Sequence, residues 1–389
     1  MKFEFDLSEA RSAIMNCLRA NEMTFKQGTG VPLVPFLTAS PGCGKSALLR
    51  GIGSELNLKF IDVRMGTEDP VVLNGALSID GDRSTFLPPK RFPLATDPLP
   101  LLPQFEHMQA DYDGLKDEAA IKDFQKKYCY RGWLISFDEL PDAPRACQSA
   151  AYKILLEREV GQHKLHPRAF TVAAGNRVSD NAAATGEMSS ALKSRLVHFT
   201  IKSNTEKFLM KMAEWKWDLR IYAYLSYKPS ELNTFESFNN SNSSDPTYRC
   251  ERTWDMVNSY LRANHPDQDQ PIPIEAMNVL YGMIGSMASE FVNFTQQYKE
   301  LVTLDQILAD PAGCHVPDDR GARYLLITSL AMKVDEDNAL SISEYVKRLG
   351  TAFAYPFAEM SFIQNDDFME LDGMDFFINK IVEVKKKFK

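Results

Sequence analysis

A chain of 389 residues is longer than one ordinary domain and has room for two or three. With 44% hydrophobic and 25% charged residues it can bury a core of normal size, which excludes disorder as the starting assumption. A net charge of −8, from 44 basic and 52 acidic side chains, argues against a protein coated in nucleic acid, because gripping phosphates needs a basic field.

The opening Met1-Lys2-Phe3-Glu4-Phe5-Asp6 carries acids where a signal peptide needs an apolar run, and no stretch is long enough to span a bilayer. The cysteines, Cys17, Cys43, Cys129, Cys147, Cys250 and Cys314, are scattered without a Cys-x-x-Cys pair, as free thiols in a reducing compartment would be. A cytoplasmic protein is expected. Residues 7–22 read as an amphipathic helix with Ser8 as its N-cap and Ile14 and Leu18 on one face. Gln27-Gly28-Thr29-Gly30 breaks the chain before an apolar strand over 33–38, in which Pro35 should mark the first paired residue because it has no N–H to donate.

From there strands and helices alternate: a helix over 45–56, a strand over 58–63, a strand over 133–137, a helix over 145–158, and strands over 170–174 and 197–201. That alternation predicts an α/β fold with a mostly parallel sheet covered by helices. Ile79-Asp80-Gly81-Asp82 signals a hairpin turn, residues 160–167 form a second hairpin, and the charged helical segment 111–128 looks like an insertion. After Ser203 strand signals vanish and helical patterns run to the end, broken by a polar loop over 239–245 and a proline-rich link over 266–273. The basic end, Lys385-Lys386-Lys387-Phe388-Lys389, reads as a solvated terminus.

The chemistry concentrates in four segments. Ala39-Ser40-Pro41-Gly42-Cys43-Gly44-Lys45-Ser46 lies between a predicted strand and a predicted helix, where backbone N–H groups can close on phosphates. Gly42 and Gly44 sit where a Cβ would obstruct, Lys45 would reach the β- and γ-phosphates, and the Ser46 hydroxyl would take Mg²⁺; Pro41 to Ala47, with Cys43 among them, form the cradle. Trp133-Leu134-Ile135-Ser136-Phe137-Asp138-Glu139 is an apolar strand ending in two carboxylates with different work, Asp138 holding the metal through water and Glu139 orienting the attacking water. Phe170-Thr171-Val172-Ala173-Ala174-Gly175-Asn176 ends a strand in an amide suited to the γ-phosphate. Arg195, just before the last strand, could stabilise transition-state charge on a neighbouring subunit's nucleotide.

In this order and spacing the segments resemble the AAA+ ATPases, and more closely their MoxR-like branch with the dynein-related AAA domains. The most telling stretch is Asp138-Glu139-Leu140-Pro141-Asp142-Ala143-Pro144-Arg145, continuing to Ala173-Ala174-Gly175-Asn176-Arg177 and Ala191-Leu192-Lys193-Ser194-Arg195. Cys250-Glu251-Arg252-Thr253-Trp254 is similar to the family's sensor 2 element, which makes Arg252 the expected lid arginine and Arg323, in Gly321-Ala322-Arg323, the second choice. Departures are Ala39 for the usual glycine, Cys250 for proline, and Pro141-Asp142 where many members have Asn-Arg. The later segments are similar to phage- and prophage-type members.

The resemblance implies a nucleotide-binding core over 1–202 with sheet order 5-1-4-3-2, a helical lid over 203–265 and a helical C-terminal region over 266–389. It further implies ATP and Mg²⁺ as ligands, adenine as the family's default base, and a hexameric ring in which Arg195 acts in trans. The hairpins at 76–87 and 159–167 would face the pore, with Phe86 and His163 as contacts. Two functions compete. The first is a remodelling chaperone working with a partner that carries a von Willebrand factor A (VWA) domain, on a protein substrate, docking through 271–389. The second is a nucleic-acid motor or loader, whose basic pore would draw on Lys90, Arg91, Lys164 and Arg168.

Overall fold

The first helix starts at Leu7 and is capped two residues before its serine. The Asp6 carboxylate accepts from the N–H groups of Ser8 (2.8 Å) and Glu9 (3.1 Å), and Glu9 returns an acceptor to the Asp6 N–H at 2.9 Å. This reciprocal box makes Asp6, not Ser8, the cap. The computed structural model describes residues 4–27, 31–177, 180, 188–241 and 244–387. The glycine break at 28–30, part of the polar loop at 242–243 and the last two residues lie outside them. The chain divides into two units, Met1–Lys202 and Ser203–Lys389.

The first unit begins with β1 (Glu4–Phe5), α1 (Leu7–Gln27), β2 (Val34–Thr38), α2 (Lys45–Glu55), β3 (Leu58–Arg64), α3 (Pro70–Asn74), β4 (Ala76–Asp80) and β5 (Arg83–Leu87). It continues through α4 (Gln109–Gly114), α5 (Glu118–Tyr128), β6 (Gly132–Asp138), α6 (Arg145–Tyr152), β7 (Glu159–Val160), β8 (His163–Lys164), β9 (Ala169–Gly175), α7 (Ser190–Lys193) and β10 (Leu196–Ile201). Six strands make one parallel sheet in the order β1-β10-β2-β9-β6-β3. Without the two-residue edge strand β1, the remaining five stand in the expected order 5-1-4-3-2. The fold is the predicted α/β one, with β1 as an addition that pairs Glu4 and Phe5 with Thr200 and Ile201.

Sequence alternation assigns the two faces. Leu134, Val172 and Leu37 point to one side, against Ile14 and Leu18 of α1 and Leu49 and Ile52 of α2. Ile135, Phe137 and Phe36 point to the other, against Ala151 and Ile154. Period-two patterning with both faces covered is what a buried parallel sheet requires. Pro35 is the second residue of β2, not the first; it stands opposite Val197 in the ladder with β10, while the ladder with β9 begins at Phe36.

Three local expectations are refined. The helix over 145–158 is α-helical only to Tyr152; Lys153–Glu157 widen into a π turn that ends at Arg158, whose φ is 57°. The charged segment is two helices, the second capped by Asp117 accepting from the Ala120 N–H. Both hairpins form, turning at Gly81 (φ 62°) and Gly161 (φ 59°), conformations that favour glycine. His163 Nε2 meets the Phe86 carbonyl oxygen at 3.0 Å and joins the two hairpins.

The second unit is helical throughout its described residues, with α8 (Thr205–Glu214), α9 (Leu219–Tyr227), α10 (Phe235–Asn239), α11 (Glu251–Asn264), α12 (Met277–Ile284) and α13 (Met287–Gln296). It closes with α14 (Leu304–Ala309), α15 (Arg320–Lys333), α16 (Ala339–Leu349), α17 (Thr351–Gln364) and α18 (Asp375–Lys387). A single apolar cluster joins Trp254 of α11, Phe291 of α13, Leu325 of α15, Phe357 of α17 and Phe377 of α18. Residues on both sides of position 265 therefore share one core, and the aromatic stretch around Phe353 and Phe357 is packing. Among the described residues no helix is long and apolar enough to cross a membrane.

Inside that unit Arg220, 1% exposed, bonds the fully buried Asp218 at 2.6 Å and also donates to the carbonyls of Asp267 and Gln270. It ties α9 to the proline-rich link. Arg220→Ala leaves Asp218 buried without its counter-ion, so we expect a loss of about 3–5 kcal/mol in the unfolding of this unit, measured by urea denaturation. An unchanged midpoint would show that the pair contributes nothing.

Candidate functional site

Parallel strands deliver their C-terminal ends to one crest of the sheet, where α/β proteins place ligands. Four neighbours in the sheet contribute here: β2 runs into Ala39, β9 into Asn176, β6 into Asp138 and Glu139, and β3 into Gly66. Registers fix their levels, with Thr38 beside Gly175, Phe137 beside Ala173 and Arg64 beside Asp138.

The loop from β2 to α2 turns at Gly42 (φ 83°) and Gly44 (φ 88°), left-handed positions at which a Cβ is strained, and Gly44 is the residue that opens α2. The first N–H groups of α2, at Lys45, Ser46 and Ala47, have no intrahelical acceptor and present the positive end of the helix dipole. Ala39 is fully buried and packs its methyl into the core beside Leu37.

Lys45 is 8% exposed. Its ammonium donates to the carbonyls of Ala39 (3.0 Å) and Ser40 (3.2 Å) and to Asn176 Oδ1 (3.1 Å). All three acceptors are neutral, and among the described residues no carboxylate pairs with it. A buried cation normally carries a counter-ion, so this pocket is built for an anion that the side chains do not supply. Asn176 turns its Nδ2 toward Asp142 Oδ2 at 3.5 Å, which fixes the amide with its oxygen toward Lys45.

Asp138 is kept off the lysine by other partners. Its Oδ2 accepts from the Ser46 hydroxyl at 2.6 Å and its Oδ1 from the Glu139 N–H at 2.9 Å. The carboxylate and hydroxyl together make a hard-oxygen pair suited to Mg²⁺, directly or through water. Glu139 has φ 58°, a left-handed conformation unusual for a non-glycine residue and of the kind concentrated at functional sites. Its side chain lies against Gly66, where an added Cβ would stand 2.9 Å from Oε2. Gln148 holds the turn that follows, donating to the Ala143 carbonyl at 3.0 Å.

The structure thus brings together Gly42, Gly44, Lys45, Ser46, Asp138, Glu139 and Asn176, with Pro41 and Cys43 in the same loop and Ala47 in the first turn of α2. It adds Asp142, Gln148 and Gly66, which sequence reasoning missed. Asp142 stood out only as a departure from the resembled pattern, Gln148 only as a residue of the helix that follows, and an isolated glycine after a strand carries no signal. Arg195 is not in this cluster; it is exposed, donates to the Ala191 carbonyl at 2.9 Å and lies 5.5 Å from the Tyr152 ring centroid. Arg252 is exposed in the first turn of α11. Arg323 is committed elsewhere, donating to the carbonyls of Pro317 (2.6 Å) and Leu349 (3.1 Å), which gives it a bracing role within its own unit.

No family model matches the chain, and no curated protein matches it. Among solved structures it is similar to an alanine-to-serine mutant of RuvB from Thermotoga maritima, at 17% identity over 78% of this chain and 74% of that one, with a TM-score of 0.33. A proline-to-glycine mutant of the same RuvB gives 16% identity over 89% and 91%, with a TM-score of 0.34. Likenesses at this level add nothing to the geometry above.

Gly175 supplies a test of how tightly the crest is packed. A Cβ there would fall 2.3 Å from Pro141 Cδ, in the turn that carries Glu139. We expect Gly175→Ala to destabilise the first unit by about 1–3 kcal/mol, read from thermal denaturation. A neutral result would mean that this turn moves freely.

Proposed function

We propose that the chain is an Mg·ATP-hydrolysing P-loop ATPase of the AAA+ kind, acting as a homo-oligomeric ring. The observation that carries this reading is the buried Lys45 ammonium, ringed by neutral oxygens at a glycine bend that opens a helix. A polyphosphate supplies the missing negative charge, and the α2 N–H groups and Lys45 would hold it. Mg²⁺, when bound, neutralises phosphate charge, and Ser46 and Asp138 are the residues to hold it. Glu139 would orient a water and accept its proton, while Asn176 would position the same water or the terminal phosphate.

Ring assembly rests on Arg195. A cation fixed by a carbonyl and a ring face, exposed and away from its own Lys45 cluster, is disposed to serve a neighbouring copy. The MoxR-like reading, with a VWA-domain partner and a protein substrate, comes from the motif resemblance and gains support from the hairpins. Leu77 (65% exposed) and Ile79 (82% exposed) give the β4–β5 hairpin an apolar surface suited to protein contact. Of the four cations available for a nucleic-acid pore, Arg91 is bonded to Glu68 at 2.7 and 2.8 Å and Lys164 pairs with Glu159. Internal carboxylates therefore neutralise half of that basic stripe.

Lys45→Ala should abolish binding of a fluorescent ATP analogue. Glu139→Gln should retain binding and lose at least about 100-fold in phosphate release, in line with removal of a general base. Equal turnover by wild type and Glu139→Gln would remove Glu139 from the reaction. Arg195→Ala should assemble as the wild type does and turn over about 1,000-fold more slowly, as loss of a trans arginine does. Full activity of that variant, or of an isolated protomer, would end the ring reading. Stimulation of turnover by DNA that vanishes at raised salt would favour the nucleic-acid motor over the remodelling chaperone.

A further inference from the structure

At the opposite edge of the sheet, where β3, β6 and β9 begin, a cavity of about 310 Å³ opens to solvent. The seven-residue strand β6 separates it from the Lys45 crest by roughly 20 Å. Its floor is apolar: Leu18 and Phe25 from α1, Leu56 after α2, Leu58 of β3 and Phe170 of β9. Its mouth carries Arg19, Arg131 and Arg168, from three separate segments, with Glu22 as the single acid.

Charge at this mouth is unbalanced. Arg131 reaches Glu22 at 3.7 Å, but among the described residues Arg19 and Arg168 pair with no carboxylate. In a chain of net charge −8, three arginines around an apolar well run against the overall composition. The neighbouring His166 senses the same field: burial first, then Arg168, hold its pKa below the ordinary value, against a smaller opposing effect of Asp97. The wall is also preformed. Arg158 lies 3.7 Å over the Phe25 ring and donates to the carbonyls of His166 and Ala169, both at 2.7 Å, so the aromatic floor and the β9 entry are fixed together.

We propose that this cavity binds a small apolar acid, a carboxylate carried on an aliphatic or aryl body. The body lies on the Leu18, Leu58 and Phe170 floor, and the carboxylate is received by Arg19, Arg131 and Arg168. The volume falls within the range of small-molecule sites, which are mostly apolar with a few convergent polar groups. Guanidinium groups match a carboxylate's geometry. The inference is independent of the nucleotide chemistry, since no residue is shared with it.

The test uses the full chain and anilinonaphthalene sulfonate, an apolar anion that fluoresces when bound. We expect one saturable site from which decanoate displaces the dye and 1-decanol at equal concentration does not. Arg19→Gln/Arg131→Gln alters only exposed side chains; it should keep the wild-type melting temperature and ATP turnover while weakening dye and decanoate binding at least about 10-fold, or about 1.4 kcal/mol. Wild-type affinity in that variant would overturn the proposal, as would equal displacement by decanol. So would dye that remains on the double variant but is lost on Ile79→Ser, which would place the dye on the hairpin. Displacement by an acidic apolar peptide but not by decanoate would likewise overturn it in favour of a protein partner.

Discussion

A buried ammonium held only by neutral oxygens sets the terms for the whole crest of the first unit. Lys45 meets two main-chain carbonyls from the loop after β2 and one amide from the end of β9. A carboxylate in the position of Asn176 would close an ion pair and cancel the anion site. The amide keeps the lysine oriented without neutralising it. Asp138 is engaged instead by the Ser46 hydroxyl and the Glu139 N–H. Charge of both signs is thereby kept apart in one small volume, an arrangement that costs stability and is retained where a charged ligand completes it.

The elements that position this crest were legible because they follow from periodicity and turn chemistry. The apolar runs Trp133 to Phe137 and Phe170 to Ala174 gave the central strands, and the Asp80-Gly81-Asp82 turn gave the first hairpin. What stayed hidden depends on contacts between segments distant in sequence. Asp6 looked like part of a polar start, yet it outcompetes Ser8 because its carboxylate reaches two N–H groups. The π turn after Tyr152 leaves no mark in composition. Gly66 acquires meaning only beside Glu139, and Asp142 only beside Asn176. Arg323 shows the converse: a motif-like Gly-Ala-Arg whose guanidinium is taken up by main-chain carbonyls.

Arginines sort by what their surroundings leave unsatisfied. Arg220 is buried with Asp218 and three carbonyls, a closed arrangement with no capacity left for a ligand. Arg158 is a strut; burial lowers its pKa to about 10, and its donors go to carbonyls. Arg91 is neutralised by a bidentate acid. Arg19, Arg168 and Arg195 are different, being exposed and, among the described residues, without a carboxylate.

That difference bears on how a single sheet can support two unrelated surfaces. Parallel strands give the crest every carboxyl-terminal turn, so the polar residues that need precise levels, Ser46, Asp138, Glu139 and Asn176, collect there. The amino-terminal edge receives helix ends and strand starts instead, whose apolar residues Leu56, Leu58 and Phe170 leave a well when no side chain fills it. Arg195 belongs to neither edge's closed network. It is oriented by Ala191 and Tyr152 and, among the described residues, by nothing of opposite charge, so on the proposed reading its anion comes from the next copy of the chain. On that reading the first unit would carry half of a catalytic site at its crest and, just before β10, the half that completes its neighbour's.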